Sequence, residues 1–224
     1  MKKVELLAPA GSFEALRAAV LSGADAVYLG GKNFSARAFA ANFTDEEIKE
    51  AVRFAHLRNV KIYVTVNTLL NEDELKAALE ACEKYYEYDV DALIIQDLGL
   101  YYALKERHPD FDLHASTQMH IHNIEGVRTV KKLGFARTVI ARESSLEFMK
   151  EACKQGIEIE CFVHGALCVS YSGQCLLSSV TKSRSANRGM CAQCCRLRYE
   201  LLEDGKTVNT DTYNLLSPKD MYLL

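Results

Sequence analysis

The feature that most constrains the fold is a unit repeated along the chain: a short apolar, β-branched run, a polar turn and an amphipathic helical stretch. The runs fall at residues 4–8, 26–29, 62–66, 92–96, 112–115, 138–141 and 158–163. They are short and mostly apolar, and helical patterns separate them, which is how parallel strands covered by helices read. Start signals mark several helices: Ser12 before Phe13, Thr44 with Glu47, Asn71 with Glu74, and Ser144 with Glu147. Gly23, Gly134 and Gly156 stand where helices end, shortly before the next strand. Seven such units predict a (β/α)8 TIM-type barrel rather than an open doubly wound sheet.

Seven strands leave that barrel one short. After the seventh run comes a cysteine-rich stretch, then a hairpin pattern over residues 198–208 turning at Asp204-Gly205, then Ser217-Pro218-Lys219-Asp220, a helix start. A barrel without its eighth strand exposes two buried edges, so the sequence is expected to be a truncated piece of a longer chain. The expected organisation is seven βα repeats over residues 1–164, a cysteine-rich insertion with a hairpin over 165–215, and a cut-off helix over 216–224.

Composition excludes some classes. Of 224 residues, 49% are hydrophobic, enough to bury a full core. No run reaches the roughly 18 apolar residues that span a bilayer, and the first apolar segment is too short for a signal-peptide core. The expectation is a soluble, cytoplasmic protein without a membrane partner. A net charge of −3 says little about other partners. Thiols stay reduced in such a compartment, so the eight cysteines point to metal, redox chemistry or burial rather than to disulfides. Cys82 and Cys153 fall in helical patterns and are expected in the core; the other six lie between residues 161 and 195, beside glycines and serines.

Barrel active sites gather at the carboxyl ends of the strands, which makes the residues after each run candidates. They include Gly11 and Ser12, Gly30 and Arg37, Asn67, Gln96 and Asp97, Ser116 and Gln118, Arg142 and Glu143, and His164 and Gly165. Arg37 and Arg142 are placed to fork onto a carboxylate. Asp97, Glu143 and His164 are candidate acids or bases. His114, Ser116 and Gln118 alternate and so share a face, expected to point inward. The pair His120 and His122 is expected at the surface. Between Glu160 and Glu200 there is no acidic residue, while Lys182, Arg184, Arg188, Arg196 and Arg198 are basic, a patch that attracts either phosphates or an anionic cluster. Tyr171 offers a stacking face for an unpaired base.

Residues 160–178 carry a specific pattern: Glu160, Phe162, Gly165, Ala166, Leu167, Cys168, Gly173, Cys175, Leu177 and Ser178. Together with Leu7-Ala8-Pro9-Ala10-Gly11, Phe34-Ser35-Ala36-Arg37, Ser116-Thr117-Gln118 and the Ser-Ala-Asn-Arg-Gly at 185–189, it resembles the collagenase-type peptidase family, family U32. The family name rests on proteolysis, while other members are hydroxylation factors for tRNA uridine, rRNA cytidine or quinones, some of them prephenate-dependent and several carrying an iron–sulfur cluster. The resemblance implies a 4Fe–4S cluster on Cys168, Cys175, Cys191 and Cys195, with Cys194 standing where relatives have proline. Zinc on the same thiols and inert burial are the competing expectations, although only the second cysteine pair has zinc-knuckle spacing.

The resemblance thus implies an iron–sulfur RNA hydroxylation factor, with Asn67, His114, Ser116, Gln118 and Arg37 receiving a prephenate-like cosubstrate and Arg184 and Arg188 meeting RNA. The alternatives are a collagenase-like peptidase, with His164 as base to Cys168 or Cys175, and a non-catalytic partner in a hydroxylase complex. The residues add no support to proteolysis: no orienting Asp or Asn declares itself, and no His-Glu-x-x-His is present.

Overall fold

The computed structural model describes residues 3–36, 41–208, 214–218 and 221–222. Strands β1 (Leu7–Pro9), β2 (Ala26–Gly30), β3 (Lys61–Val66), β4 (Ala92–Ile95), β5 (Leu113–Ala115), β6 (Arg137–Val139) and β7 (Glu158–Glu160) form one sheet. Helices α1 (Phe13–Leu21), α2 (Asp45–His56), α3 (Glu72–Glu87), α4 (Leu98–Arg107), α5 (Ile124–Leu133) and α6 (Leu146–Ala152) alternate with them. The strands lie in sequence order, and every neighbouring pair is parallel. This is the TIM-type α/β fold. Among the described residues no eighth parallel strand joins β7 to β1.

The central strands β2 to β4 are mostly apolar because both of their faces are covered. One face, with Val27, Leu29, Ile62, Val64, Leu93 and Ile95, packs against helix residues such as Leu16, Ile48, Ala78, Leu100 and Val127 in the main core. The opposite face, with Ala26, Tyr63, Ala92 and Ile94 beside Leu7 and Tyr28, fills the barrel interior. Local chemistry sets the helix starts. Ser12 Oγ accepts from Ala15 N at 3.3 Å, and Thr44 and Glu47 exchange the two bonds of a capping box at 3.2 and 2.8 Å. At the far end of α5, Gly134 adopts φ +95°, the left-handed cap that favours glycine.

Polar side chains show how far the sheet curls. In a flat sheet β1 and β6 would lie about 24 Å apart, five spacings of about 4.8 Å. Yet Arg137 on β6 donates from Nη1 to Glu5 Oε1, just before β1, at 2.7 Å. The same guanidinium meets Glu158 Oε2 at 2.8 Å and Glu160 Oε2 at 3.5 Å, both on β7. Tyr63 on β3 donates to both oxygens of Glu5 at 3.0 Å. Residues of β3, β6 and β7 and the segment leading into β1 therefore meet around one buried guanidinium, which only a curved sheet permits.

Several expectations need correction. The first strand starts at Leu7 rather than residue 4, and Val4 is exposed. The cap of α6 is Ser145, whose Oγ accepts from Phe148 N at 3.2 Å, one residue after the expected Ser144. Cys82 is fully buried, but Cys153 is exposed in a 3-10 turn after α6, where the chain has left the helix face that packs on the sheet. In place of a helix over 216–224, residues Met221–Tyr222 form a short strand that pairs antiparallel with His164–Gly165. Residues 219 and 220 of the expected helix start lie outside the described residues, as does Arg37.

Candidate active site at the carboxyl ends of the strands

A cavity of about 480 Å³ opens at the carboxyl ends of the strands. Its polar lining includes Thr65, Asn67, Ser116, Gln118, Arg142, Glu160, His164 and Cys168, and its apolar walls are Tyr28, Ile94, Val139 and Phe162. The rim is stitched from strand to strand. Asn67 Nδ2 donates to Ser116 Oγ at 3.1 Å, Asn67 Oδ1 accepts from Ala36 N at 3.0 Å, and Gln96 Nε2 donates to Asn67 O at 2.8 Å. Asn67 and Ser116 are both buried, so their positions are fixed before any ligand arrives.

Other predicted residues have different employment. Asp97 caps α4, accepting from Leu100 N at 2.9 Å, and it also accepts from Leu70 N at 3.2 Å. His114 lies lower, inside the barrel, with its ring edge-on to Tyr63 at 4.7 Å between centroids. Burial pushes its pKa down to about 3, so this imidazole is neutral. Glu143 accepts from Ser172 N at 3.0 Å and from Ser172 Oγ at 2.8 Å. Burial raises this carboxyl, but the Ser172 hydrogen bonds outweigh it and hold the group below its ordinary value.

Ser172 was not legible as a site residue, yet it joins the cysteine-rich segment to the barrel. Its Oγ also accepts from Arg142 N at 3.1 Å. Next to it, Gly173 has φ +76°, and a Cβ there would stand 2.7 Å from Gln118 O. Both the backbone angle and the close approach require glycine at this signature position. The Arg142 side chain runs over the Phe162 ring, 4.6 Å from its centroid, and brings Nη1 to 3.7 Å from Cys168 Sγ. One arginine thus borders both the cavity and the thiols.

The cysteines sort into two groups. Burial pushes the Cys195 thiol up; Arg196 opposes this, and the nearby thiols of Cys191, Cys168 and Cys175 reinforce it. Cys195 thus feels the other three thiols. Among the described residues, however, no three His, Cys, Asp or Glu side chains stand at metal-holding spacing. Cys194 instead turns under helix α7 (Leu177–Lys182), with Thr181 Oγ1 at 3.2 Å and Ser178 Oγ at 4.0 Å. The Thr181 hydrogen bond holds this thiol below its ordinary value. Ser178 Oγ accepts from Ala192 N at 3.0 Å and stands 4.0 Å from Cys191 Sγ, which ties the two cysteine loops together.

The basic patch is partly spent on structure. Arg188 forks onto both carboxylate oxygens of Glu74 and donates to Leu69 O at 3.1 Å. Arg196 donates to Leu167 O, Ser217 Oγ and Pro218 O. Arg184 is half-buried, its backbone N donating to Ser178 O at 3.2 Å. His120 and His122 lie beside Tyr171, with His122 stacked on it at 6.2 Å and His120 Nδ1 3.0 Å from Ser172 O.

The sequence profile of peptidase family U32 matches residues 11–224. The chain belongs to this family. Within the U32 family it is 46% identical over 97% of its length to a 23S rRNA 5-hydroxycytidine synthase of Escherichia coli, covering 33% of that protein. It is 40% identical, over its whole length, to tRNA hydroxylation protein P1 of Bacillus subtilis, covering 54% of it. The chain thus spans a third to about half of these relatives. Among solved structures, the U32 peptidase Mk0906 superposes with a TM-score of 0.62 at 15% identity, over 73% of this chain and 70% of that one, a likeness of fold. No described helix is long and apolar enough to cross a membrane.

Proposed function

We propose that this chain serves in RNA hydroxylation, binding a small prephenate-like carboxylate in the barrel cavity and an iron–sulfur cluster on Cys168, Cys175, Cys191 and Cys195. The observation that carries the reading is Arg142, whose guanidinium borders the cavity and stands 3.7 Å from Cys168 Sγ. A ligand held there and a group held on the thiols would be neighbours. The donor chemistry suits such a cluster, since the Cys195 thiol feels those of Cys168, Cys175 and Cys191 and Arg142 lies beside Cys168, but the four do not stand at metal-holding spacing and would have to draw together on binding. Bound there, such a cluster supplies one-electron chemistry. The chain's own residues orient the cosubstrate: Asn67 and Ser116 hold the rim, Arg142 pairs with a carboxylate, and Phe162 and Tyr28 exclude water from its apolar body. The relatives named for rRNA and tRNA hydroxylation favour RNA as the second substrate.

The test is nucleoside mass spectrometry on RNA from a strain lacking the gene, beside iron, sulfide and zinc analysis of the anaerobically purified full-length protein. A hydroxylated cytidine or uridine should disappear and return with the wild type but not with Cys191→Ala or Cys195→Ala. About four irons and four sulfides per chain are expected. Unchanged nucleosides, in a strain with no compensating relative, would refute RNA hydroxylation; zinc in place of iron would refute the cluster. Cleavage of gelatin by the purified protein would favour the peptidase reading.

A further inference from the structure

Glu160 stands where the cavity meets the charged floor of the barrel. It ends β7, two residues after Glu158 and on the same inward face, and it lines the cavity with Arg142, Phe162 and His164. Its side chain is 15% exposed. From below, Arg137 approaches Glu160 Oε2 only to 3.5 Å, because the guanidinium is already engaged by Glu5 at 2.7 Å and Glu158 at 2.8 Å. Three carboxylates share one positive charge. Around that floor Tyr63 donates its hydroxyl to Glu5, His114 is neutral, and Lys61, exposed at the start of β3, adds a solvent-screened positive charge. On the cavity side the charged or titratable neighbours are Arg142, His164, Cys168 and Tyr28.

We propose that Glu160 is the proton-carrying contact of the cavity: in its protonated form it donates a hydrogen bond to a carboxylate of the bound ligand, so that binding of the anion takes up one proton. The inference rests on the reading of the cavity as a carboxylate site. An ionised Glu160 has no hydrogen to offer and repels a second carboxylate in a low-dielectric pocket, whereas a protonated one is a donor that shares its proton. Burial pushes Glu160 up to about 7 against the pull of Arg137, so the proton is exchangeable near neutral pH. The proton comes from solvent, and no covalent bond changes. The ligand class is a small carboxylate with an apolar body, which the walls formed by Tyr28, Ile94, Val139 and Phe162 cover.

Calorimetric titration of the full-length protein with phenylacetate, in buffers of different ionisation enthalpy, tests this directly. At pH 8 the wild type should take up close to one proton per phenylacetate, and its affinity should fall about tenfold per pH unit above that. Glu160→Gln, an amide of the same shape that always carries donors, should bind with no proton uptake and no such slope. His164→Gln should keep both, which separates Glu160 from the imidazole of the cavity. Binding by the wild type without proton uptake, or an unchanged slope in Glu160→Gln, would overturn the role of Glu160 and leave the carboxylate reading standing. No binding at any pH would overturn that reading, and the role of Glu160 with it. If Glu160→Gln does not fold, the wild-type proton count decides alone.

Discussion

The barrel and the cysteine-rich segment are built on different principles. Between β1 and β7 the chain buries Leu16, Ile48, Ile62, Leu93, Leu100 and Leu113 completely, and each strand is held by the ladder of its neighbours. Beyond residue 160, Cys194 is the one hydrophobic residue buried among those described, while Val163, Val169, Tyr171, Leu176 and Val180 are exposed. That segment is fastened by polar anchors instead: Ser172 to Glu143 and Arg142, Arg188 to Glu74, and Arg196 to Leu167 and Pro218. Apolar burial is non-directional and cooperative and holds the barrel as one core, whereas the segment rests on a handful of directional hydrogen bonds.

The sharpest way to break this contrast is to attack the barrel where it is polar. Arg137→Met leaves Glu5, Glu158 and Glu160 without their shared cation and is expected to cost about 3–5 kcal/mol in urea denaturation at pH 8. The loss should shrink at pH 5, where Glu160 carries a proton in any case. A hydrophobic replacement with no measurable cost would mean that the floor is not a structural requirement.

Acid titration of the barrel comes next. His114 is held down to about 3 from an ordinary 6.5, so between those values the unfolded chain binds a proton that the folded one refuses. Stability should therefore rise with pH across that window and be lost on acidification, by on the order of 4 kcal/mol at the acid end. His114→Leu should flatten this limb in a denaturation series. Glu160 works in the opposite sense: its raised pKa contributes stability that is present below about 4.5 and lost as pH rises to about 7.

The segment should respond less in global stability and more in local order. Ser172→Ala removes a buried hydroxyl that bridges Arg142 N and Glu143, and about 1–3 kcal/mol is expected. Arg188→Ala breaks a partly exposed ion pair and should cost about 0–1 kcal/mol. Both changes should speed proteolysis within residues 161–197 while leaving amide exchange in β3 and β4 unaltered. Faster exchange in those strands would show that the two regions unfold as one.

Much of the barrel was legible because its signals are local. The fully covered strand Lys61–Val66 is an unbroken run of β-formers after Lys61, and Thr44 with Glu47 declares a helix start within four residues. The misses are local ambiguities or long-range facts. Ser144 and Ser145 are interchangeable as a sequence signal, and only the hydrogen bond to Phe148 chooses between them. Arg137 opens β6, yet a lone arginine before Thr-Val-Ile reads as a turn residue. Its partners are alternate residues of β7 and a glutamate 132 positions away. The spacing Glu158, Glu160 on an inward face was the signal that a buried cation lay opposite.

By itself the sequence determined the order of the βα units, their parallel sense and the signature that places the chain in family U32, since periodicity, capping and motif spacing act over a few residues at a time. Only the tertiary structure decided that Asp97 and Glu143 serve caps and anchors rather than the cavity. It alone brought Cys168, Cys175 and Cys191 within the field felt at Cys195 and turned Cys194 under α7. It also set Glu160 between a ligand cavity and an overcommitted arginine. Electrostatic and hydrogen-bonding roles depend on distance and burial, and those are fixed only when the curved sheet carries residues remote in sequence into contact.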